Sequence, residues 1–149
     1  MTEQEQANVD AFLWTIRYSE GTTGERGYQT IYGYEYFDSY ADHPRRIVHK
    51  GAYTSSAAGA YQIMPMTWDT VIQPALHLPD FSPESQDKAA VYLIKYRGAL
   101  DHVKNGNFDE AVRKCAKEWA SLPGSPYGQP VRTLAEVRAV YESHGGTFA

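Results

Sequence analysis

The sequence has a single cysteine, Cys115, in 149 residues. No internal disulfide can form, and one thiolate is too few for a cysteine-based metal site. No stretch approaches the roughly 18 apolar residues that would span a bilayer, so direct membrane insertion is not expected. The formal charge is −4 with no basic stripe, so nucleic acid is not expected as a partner. The five histidines, at 43, 49, 77, 102 and 144, contain no pair at an H-x-x-x-H spacing. Each reads as a surface or turn residue, and neither a metal nor a cofactor is expected. There is no G-x-S-x-G elbow, no phosphate-binding loop, no internal repeat and no low-complexity tract. The first six residues, Met1 to Gln6, are polar and acidic and lack the basic start and apolar run of a secretory signal. The chain as given is expected to stay in the cytoplasm that makes it until something else releases it.

What is present is one domain's worth of chain, 1–149, long enough to bury a core without staples. Tyrosine is abundant, at 12 residues. Its flat ring and hydroxyl suit core edges and sugar-binding clefts alike. Residues from about 7 to 20 have the spacing of an amphipathic helix, with Val9, Phe12, Leu13 and Ile16 on one stripe and Gly21 as terminator. The segment 27–63 is rich in glycine and tyrosine. Its stretches 27–32 and 34–37 are strand-like, which predicts a small sheet with long loops. Helices then return. Pro65 opens one carrying Met66, Trp68 and Val71, and Ser82-Pro83 caps another that runs to about Arg97. Asn107 stands where it can cap a helix with Phe108, Val112, Cys115 and Trp119 on one stripe. Residues 121–128 form a Pro- and Gly-rich loop, Thr133 and Glu136 make a capping box, and Gly145-Gly146 ends the last helix. The fold class predicted is α+β and mostly helical. Cys115, on its apolar stripe, reads as core and not as a nucleophile.

One acidic residue is out of place. At about 100° per residue, Glu20 lies within roughly 20° of Val9 around the first helix, and Ile16 is one turn before it. Glu20 thus continues the apolar stripe, at the negative end of the helix dipole. Burial and dipole both disfavour its ionised form and raise its pKa. A carboxylic acid protonated near neutral pH is what cleavage of a glycosidic bond needs at the leaving oxygen. The alternative is a glutamate that turns to solvent or pairs with Arg17 or Arg45.

Several motifs carry a resemblance. They are Ser19-Glu20-Gly21-Thr22, the run Phe37 to Arg45, the run Ser55 to Ile63, Asp80 to Asp87 and Arg97-Gly98-Ala99-Leu100. Trp119 to Gly124, Tyr127-Gly128-Gln129 and Gly145-Gly146-Thr147 follow in the same order. Together, over almost the whole chain from about residue 11, they resemble the lambda-type phage lysozymes of the lysozyme superfamily. The continuation Met64 to Thr67 is also similar to a motif of bacterial lytic transglycosylases. The resemblance implies a lysozyme-like fold, with a helical lobe and a small antiparallel sheet lobe around a cleft. It implies cleavage of the β-1,4 bond between N-acetylmuramic acid and N-acetylglucosamine in peptidoglycan, with release of 1,6-anhydromuramic ends. It places the catalytic glutamate at Glu20, and substrate binding at Tyr61, Gln62, Tyr127 and Gln129, with Ser55 at the head of the second motif. Each of these binding residues is equally suited to packing or loop closure. Against the lambda-type pattern the loop after Glu20 looks shorter, and Arg26-Gly27 stands in place of a more basic stretch.

A standard glycosidase would need a second carboxylate, for which Glu35, Asp38, Asp42 and Asp69 are the candidates. Glu35 and Asp42 match acidic positions of the pattern, with ordinary loop roles as their alternative. A transglycosylase needs none, because the sugar's own 6-hydroxyl attacks. A hydrolytic muramidase on the same fold and a non-catalytic glycan-binding module are the competing readings. An endolysin of this kind would be a monomer held in the host cytoplasm. It would depend on a membrane-permeabilising holin to reach the wall in the periplasm, and its partners would be peptidoglycan glycan strands.

Overall fold

The computed structural model describes residues 1–128 and 130–149. The chain divides into two compact units, one of Met1–Glu20 with Val91–Ala149 and one of Gly21–Ala90. Seven α-helices and four short strands occur among the described residues, in the order α1, β1 to β4, then α2 to α7.

The first unit is helical. Helix α1 spans Glu3–Glu20. It starts earlier than the apolar stripe predicts, because Thr2 and Glu5 exchange hydrogen bonds between backbone and side chain and so cap its first turn. Its buried face carries Val9, Phe12, Leu13 and Ile16, all on the predicted stripe. Against it pack α5 (Leu100–Lys104) and α7 (Leu134–Ser143), and α6 (Phe108–Cys115) packs on α5. Phe108 is the hub, with the rings of Phe12, Tyr141 and Phe148 around it at centroid distances of 4.5 to 5.8 Å. One buried polar group ties the chain ends together. Asn8 donates to the Lys104 carbonyl, and its own carbonyl accepts from the Thr147 amide, both at 3.0 Å. The predicted capping box of Thr133 and Glu136 forms at α7. Asn107 precedes α6 as expected, but its side chain makes no capping bond. Cys115 is fully buried, and burial pushes its thiol up to about 12.

The second unit holds the strands. They form two antiparallel pairs, β1 (Thr30–Ile31) with β2 (Glu35–Tyr36) and β3 (Val48–Lys50) with β4 (Tyr53–Ser55). The predicted strand segments are mostly tighter than strands. Gly27–Gln29 and Tyr32–Tyr34 are 3-10 turns, the second bent through Gly33 at φ 79°. The predicted helix at Pro65 is also broken. Helix α2 (Pro65–Thr67) passes into a π-turn over Trp68–Ile72 and then into α3 (Gln73–Leu76). Helix α4 runs Pro83–Tyr96, with the Ser82 hydroxyl accepting from the Ser85 amide as a cap.

Phe81 centres the core of this unit, in ring contact with Phe37, His43 and Trp68. Gln86, fully buried, satisfies three backbone groups: it accepts from the Ala60 amide and donates to the carbonyls of Tyr28 and Phe81. Gly59 makes that possible. At φ 83° it sits where a Cβ would lie 2.4 Å from the Gln86 amide oxygen. His43 corrects the expectation of a surface or turn histidine. It is 3% exposed, with Nδ1 accepting from the Arg45 amide at 2.9 Å. That fixes the proton on Nε2, which donates to the Ile63 carbonyl at 2.7 Å. Burial lowers its pKa, favouring this neutral form.

Candidate active site

Glu20 is the last residue of α1. The stripe that buries Val9, Phe12 and Ile16 leaves it only partly exposed, as the helical phase predicts. Gly21 takes a left-handed conformation at φ 76° and turns the chain away from the helix. Burial raises the Glu20 carboxyl from 4.5 to about 7, against a smaller lowering by a hydrogen bond from Ser121. The two arginines that could answer it have other contacts. The Arg17 guanidinium lies 5.1 Å from the Trp14 ring centre, and Arg45 is bound to Asp69 and Asp42.

The site has two members that sequence reasoning passed over. The Ser121 hydroxyl donates to Glu20 Oε2 at 3.1 Å, and Ser19 Oγ lies 2.9 Å from Ser121 Oγ. A serine hydroxyl has one proton to give. When Glu20 is ionised, the Ser121 proton is spent on the carboxylate, so Ser19 donates to Ser121. When Glu20 is protonated, the pair can turn round. The arrangement thus accommodates the acid in both charge states while the chain around it stays fixed. Ser19 is buried, and the turn that carries Ser121 is anchored by the buried Trp119 and Leu122 and by the Arg132 amide on the Ser121 carbonyl. Both serines stand in motifs quoted above, but nothing in one dimension brings position 121 to position 20.

The expected substrate residues have varied fates. Tyr61 takes the packing alternative: its side chain is completely buried, its ring packs edge-on to Tyr28, and its hydroxyl donates to Asp87 at 2.6 Å. A motif letter does not say which way a ring points. Gln62, at φ 49°, uses its amide nitrogen locally, on the carbonyls of Gly59 at 2.8 Å and Thr30 at 3.2 Å. Ser55 ends β4, accepting from the Ala57 amide and donating to the Met64 sulfur. Tyr127 is exposed, with its hydroxyl on the Lys117 carbonyl at 2.8 Å and glycines at positive φ on either side, Gly124 and Gly128. Gln129 lies outside the described residues.

Three of the candidate second carboxylates are engaged with cations. Glu35 pairs with Arg46 and Lys50, and Asp42 and Asp69 share Arg45. Asp42 also accepts from the Trp68 indole and the His43 amide.

Comparison with known proteins fits this geometry. The family described as Endolysin matches residues 10–148. The endolysin of Escherichia phage lambda is 41% identical over 144 residues, covering 92% of this chain and 90% of that one. The endolysin of Escherichia phage P2 is 38% identical over 158 aligned positions, covering 95% of each. Among solved structures, bacteriophage lambda lysozyme complexed with a chitohexasaccharide superposes with a TM-score of 0.89 at 39% identity, over the full length of both chains. A second structure of the lysozyme from bacteriophage lambda gives 0.86 at 38%. Likeness of this extent makes the fold lysozyme-like.

Proposed function

The chain belongs to the endolysin family, and on that premise we propose that it cleaves peptidoglycan as a lytic transglycosylase with Glu20 as its catalytic acid. The observation that carries the proposal is the Glu20 carboxyl itself, part-buried at a helix end and raised to about 7. A group with that pKa holds its proton at neutral pH and can still surrender it, which is the requirement for acid catalysis followed by base catalysis. Its bond is the β-1,4 link between N-acetylmuramic acid and N-acetylglucosamine. The lambda lysozyme complexed with a chitohexasaccharide supports a strand of β-1,4-linked N-acetylhexosamines as the ligand class.

In this scheme the Glu20 proton passes to the glycosidic oxygen as its bond to C1 of muramic acid breaks. The carboxylate left behind receives the Ser121 hydroxyl proton in a hydrogen bond, which stabilises it at 3.1 Å. The muramic acid 6-hydroxyl then attacks C1 and gives its proton to Glu20. The products are a free N-acetylglucosamine 4-hydroxyl and a 1,6-anhydromuramic end, with the enzyme returned to its protonated form. No water is consumed. The exposed ion pairs of Glu35, Asp42 and Asp69 favour this single-carboxylate route over hydrolysis. Exposed Tyr127 belongs to the reading as a sugar contact on a glycine-flanked loop, with Gln62, Ser55 and Gln129 as shapers of the binding surface. The same resemblance extends the reading to a monomer, with residues 1–149 as one catalytic domain. It adds holin-dependent release from the host cytoplasm and action in the periplasm. Among the described residues no helix is long and apolar enough to cross a membrane.

The test is lysis of purified sacculi by Glu20→Gln. The amide keeps the shape and an acceptor for Ser121 but has no proton to give. The expected result is loss of lysis by three or more orders of magnitude in a protein with unchanged circular dichroism. Near-normal lysis by the folded variant would remove Glu20 from the mechanism.

A further inference from the structure

The segment that follows Glu20 in the chain forms a polar pocket, and the scheme above makes no use of it. It holds about 260 Å³, and Gly21, Thr22, Arg26, Thr30, Tyr34 and Tyr36 line it, with Glu25 at the same rim. All of these belong to the second unit, and Gly21 is bonded directly to Glu20. The walls are fixed by local bonding. The Thr22 hydroxyl donates to the Ala60 carbonyl and the Thr30 hydroxyl to the Arg26 carbonyl. A Cβ on Gly21 would come within 2.8 Å of the Tyr34 hydroxyl, and one on Gly27 would lie 1.8 Å from the Thr22 carbonyl oxygen, so neither glycine can be replaced without reshaping the wall. Tyr34 itself is held at φ 64°, an unusual conformation for a bulky residue.

Arg26 gives the pocket its chemistry. Its guanidinium lies 4.1 Å from the Tyr36 ring centre, and its Nε donates to the Gln29 side chain at 3.0 Å. Both contacts orient the fork. Its two terminal nitrogens are in no hydrogen bond and no ion pair among the described residues. By contrast, Arg45, Arg46, Arg97, Arg113, Arg132 and Arg138 each answer a carboxylate. Glu25 is adjacent yet forms no pair with it. A stacked, pre-oriented guanidinium with an unused edge is built to take a carboxylate in a bidentate hydrogen bond.

We infer that this pocket is a binding site for the carboxylate carried on the 3-O-arm of N-acetylmuramic acid, with Arg26 as the residue that reads it. The inference rests on the wall-glycan reading of the previous section. In peptidoglycan the two sugars differ by that arm. Its carboxyl is free where the stem peptide has been removed, and the stem peptide supplies further carboxylates where it has not. An Arg26 contact would therefore distinguish a muramic acid unit from an N-acetylglucosamine unit. Such discrimination is absent from a uniform chitin-type strand.

The experiment measures binding by calorimetry in the non-cleaving Glu20→Gln protein, with and without Arg26→Gln. Three ligands are compared: chitohexaose, which lacks the arm, glycan strands stripped of peptide, and glycan strands bearing stem peptides. Arg26→Gln is expected to weaken a muramic-acid ligand about tenfold, the size of a charge-assisted bidentate contact, and to leave chitohexaose within about twofold. Arg26→Lys, which keeps the charge and loses the fork, is expected between the two. A loss confined to stripped strands places the lactyl carboxylate in the pocket, and a loss confined to peptide-bearing strands places a stem-peptide carboxylate there. Equal weakening of all three ligands, or no weakening of any, overturns the inference. Failure of the Arg26-intact protein to bind any of the three overturns the wall-glycan reading beneath it. Circular dichroism of each variant separates a lost contact from a lost fold.

Discussion

Replacing Glu20 by Gln should abolish activity and stabilise the protein, and the gain should depend on pH. The folded carboxyl titrates at about 7 against an ordinary 4.5. At 1.36 kcal/mol per pKa unit, that rise is worth about 3 kcal/mol. The sign follows from which state holds the proton. Below pH 4.5 the carboxyl is protonated in both folded and unfolded chains and contributes no difference. Between 4.5 and 7 the unfolded chain releases its proton first, so stability falls as pH rises. Above about 7 the charge is buried at full penalty. Gln carries no charge and keeps an oxygen for the Ser121 hydroxyl, so the variant escapes the penalty. At pH 8 Glu20→Gln should therefore be more stable by about 3 kcal/mol, and at pH 5 by about 1 kcal/mol or less. For a chain of this length the pH 8 difference corresponds to roughly 6–12 °C in Tm. Thermal melts followed by circular dichroism at the two pH values make the comparison. Equal Tm differences at pH 5 and pH 8, or a variant less stable than wild type at pH 8, would show that the carboxyl is not strained by burial. Stability held back at a reacting group is the usual mark of a functional site.

Two further predictions concern Ser121 and Cys115. Ser121→Ala removes a hydrogen bond that favours the ionised carboxylate, so the alkaline limb of the pH–activity profile should move to higher pH. Its rate at neutral pH should fall by about tenfold, Ser121→Thr should restore much of it, and an unmoved alkaline limb would exclude the contact. Cys115, fully buried with its thiol pushed up to about 12, should react with a thiol reagent such as 5,5′-dithiobis(2-nitrobenzoate) only when the chain unfolds. Stoichiometric labelling of the native protein within minutes would contradict its place in the core.

The parts of this molecule that were legible in its sequence are those encoded over one or two helical turns. The stripe of Val9, Phe12, Leu13 and Ile16 gave both α1 and the inward phase of Glu20, because burial and periodicity are the same fact in a helix. The Thr133–Glu136 box gave the start of α7 for the same reason. The strands were only partly legible. Two- and three-residue pairs such as Thr30–Ile31 with Glu35–Tyr36 are too short to show alternation, and the 3-10 turns around them have no period-2 signature. What the sequence withheld was long-range pairing. Ser121 reaches Glu20 across 101 residues, and Asn8 meets Thr147 across 139. The burial of Tyr61 and His43 was not legible because side-chain direction in an irregular segment depends on what packs there, Asp87 for one and Ile63 for the other. The resemblance to lambda-type enzymes, carried by ordered motifs, reached the family that the comparisons found, where single tetrapeptides would not have.

The most direct test of the central claim is mass spectrometry of the muropeptides that the protein releases from purified sacculi, beside the Glu20→Gln variant. Products one water lighter than hydrolysed muropeptides, with no reducing end, from the wild type and none from the variant are the predicted result. Full-mass products with reducing ends would mean that water attacks C1. That would contradict the single-carboxylate mechanism and require a second acid alongside Glu20.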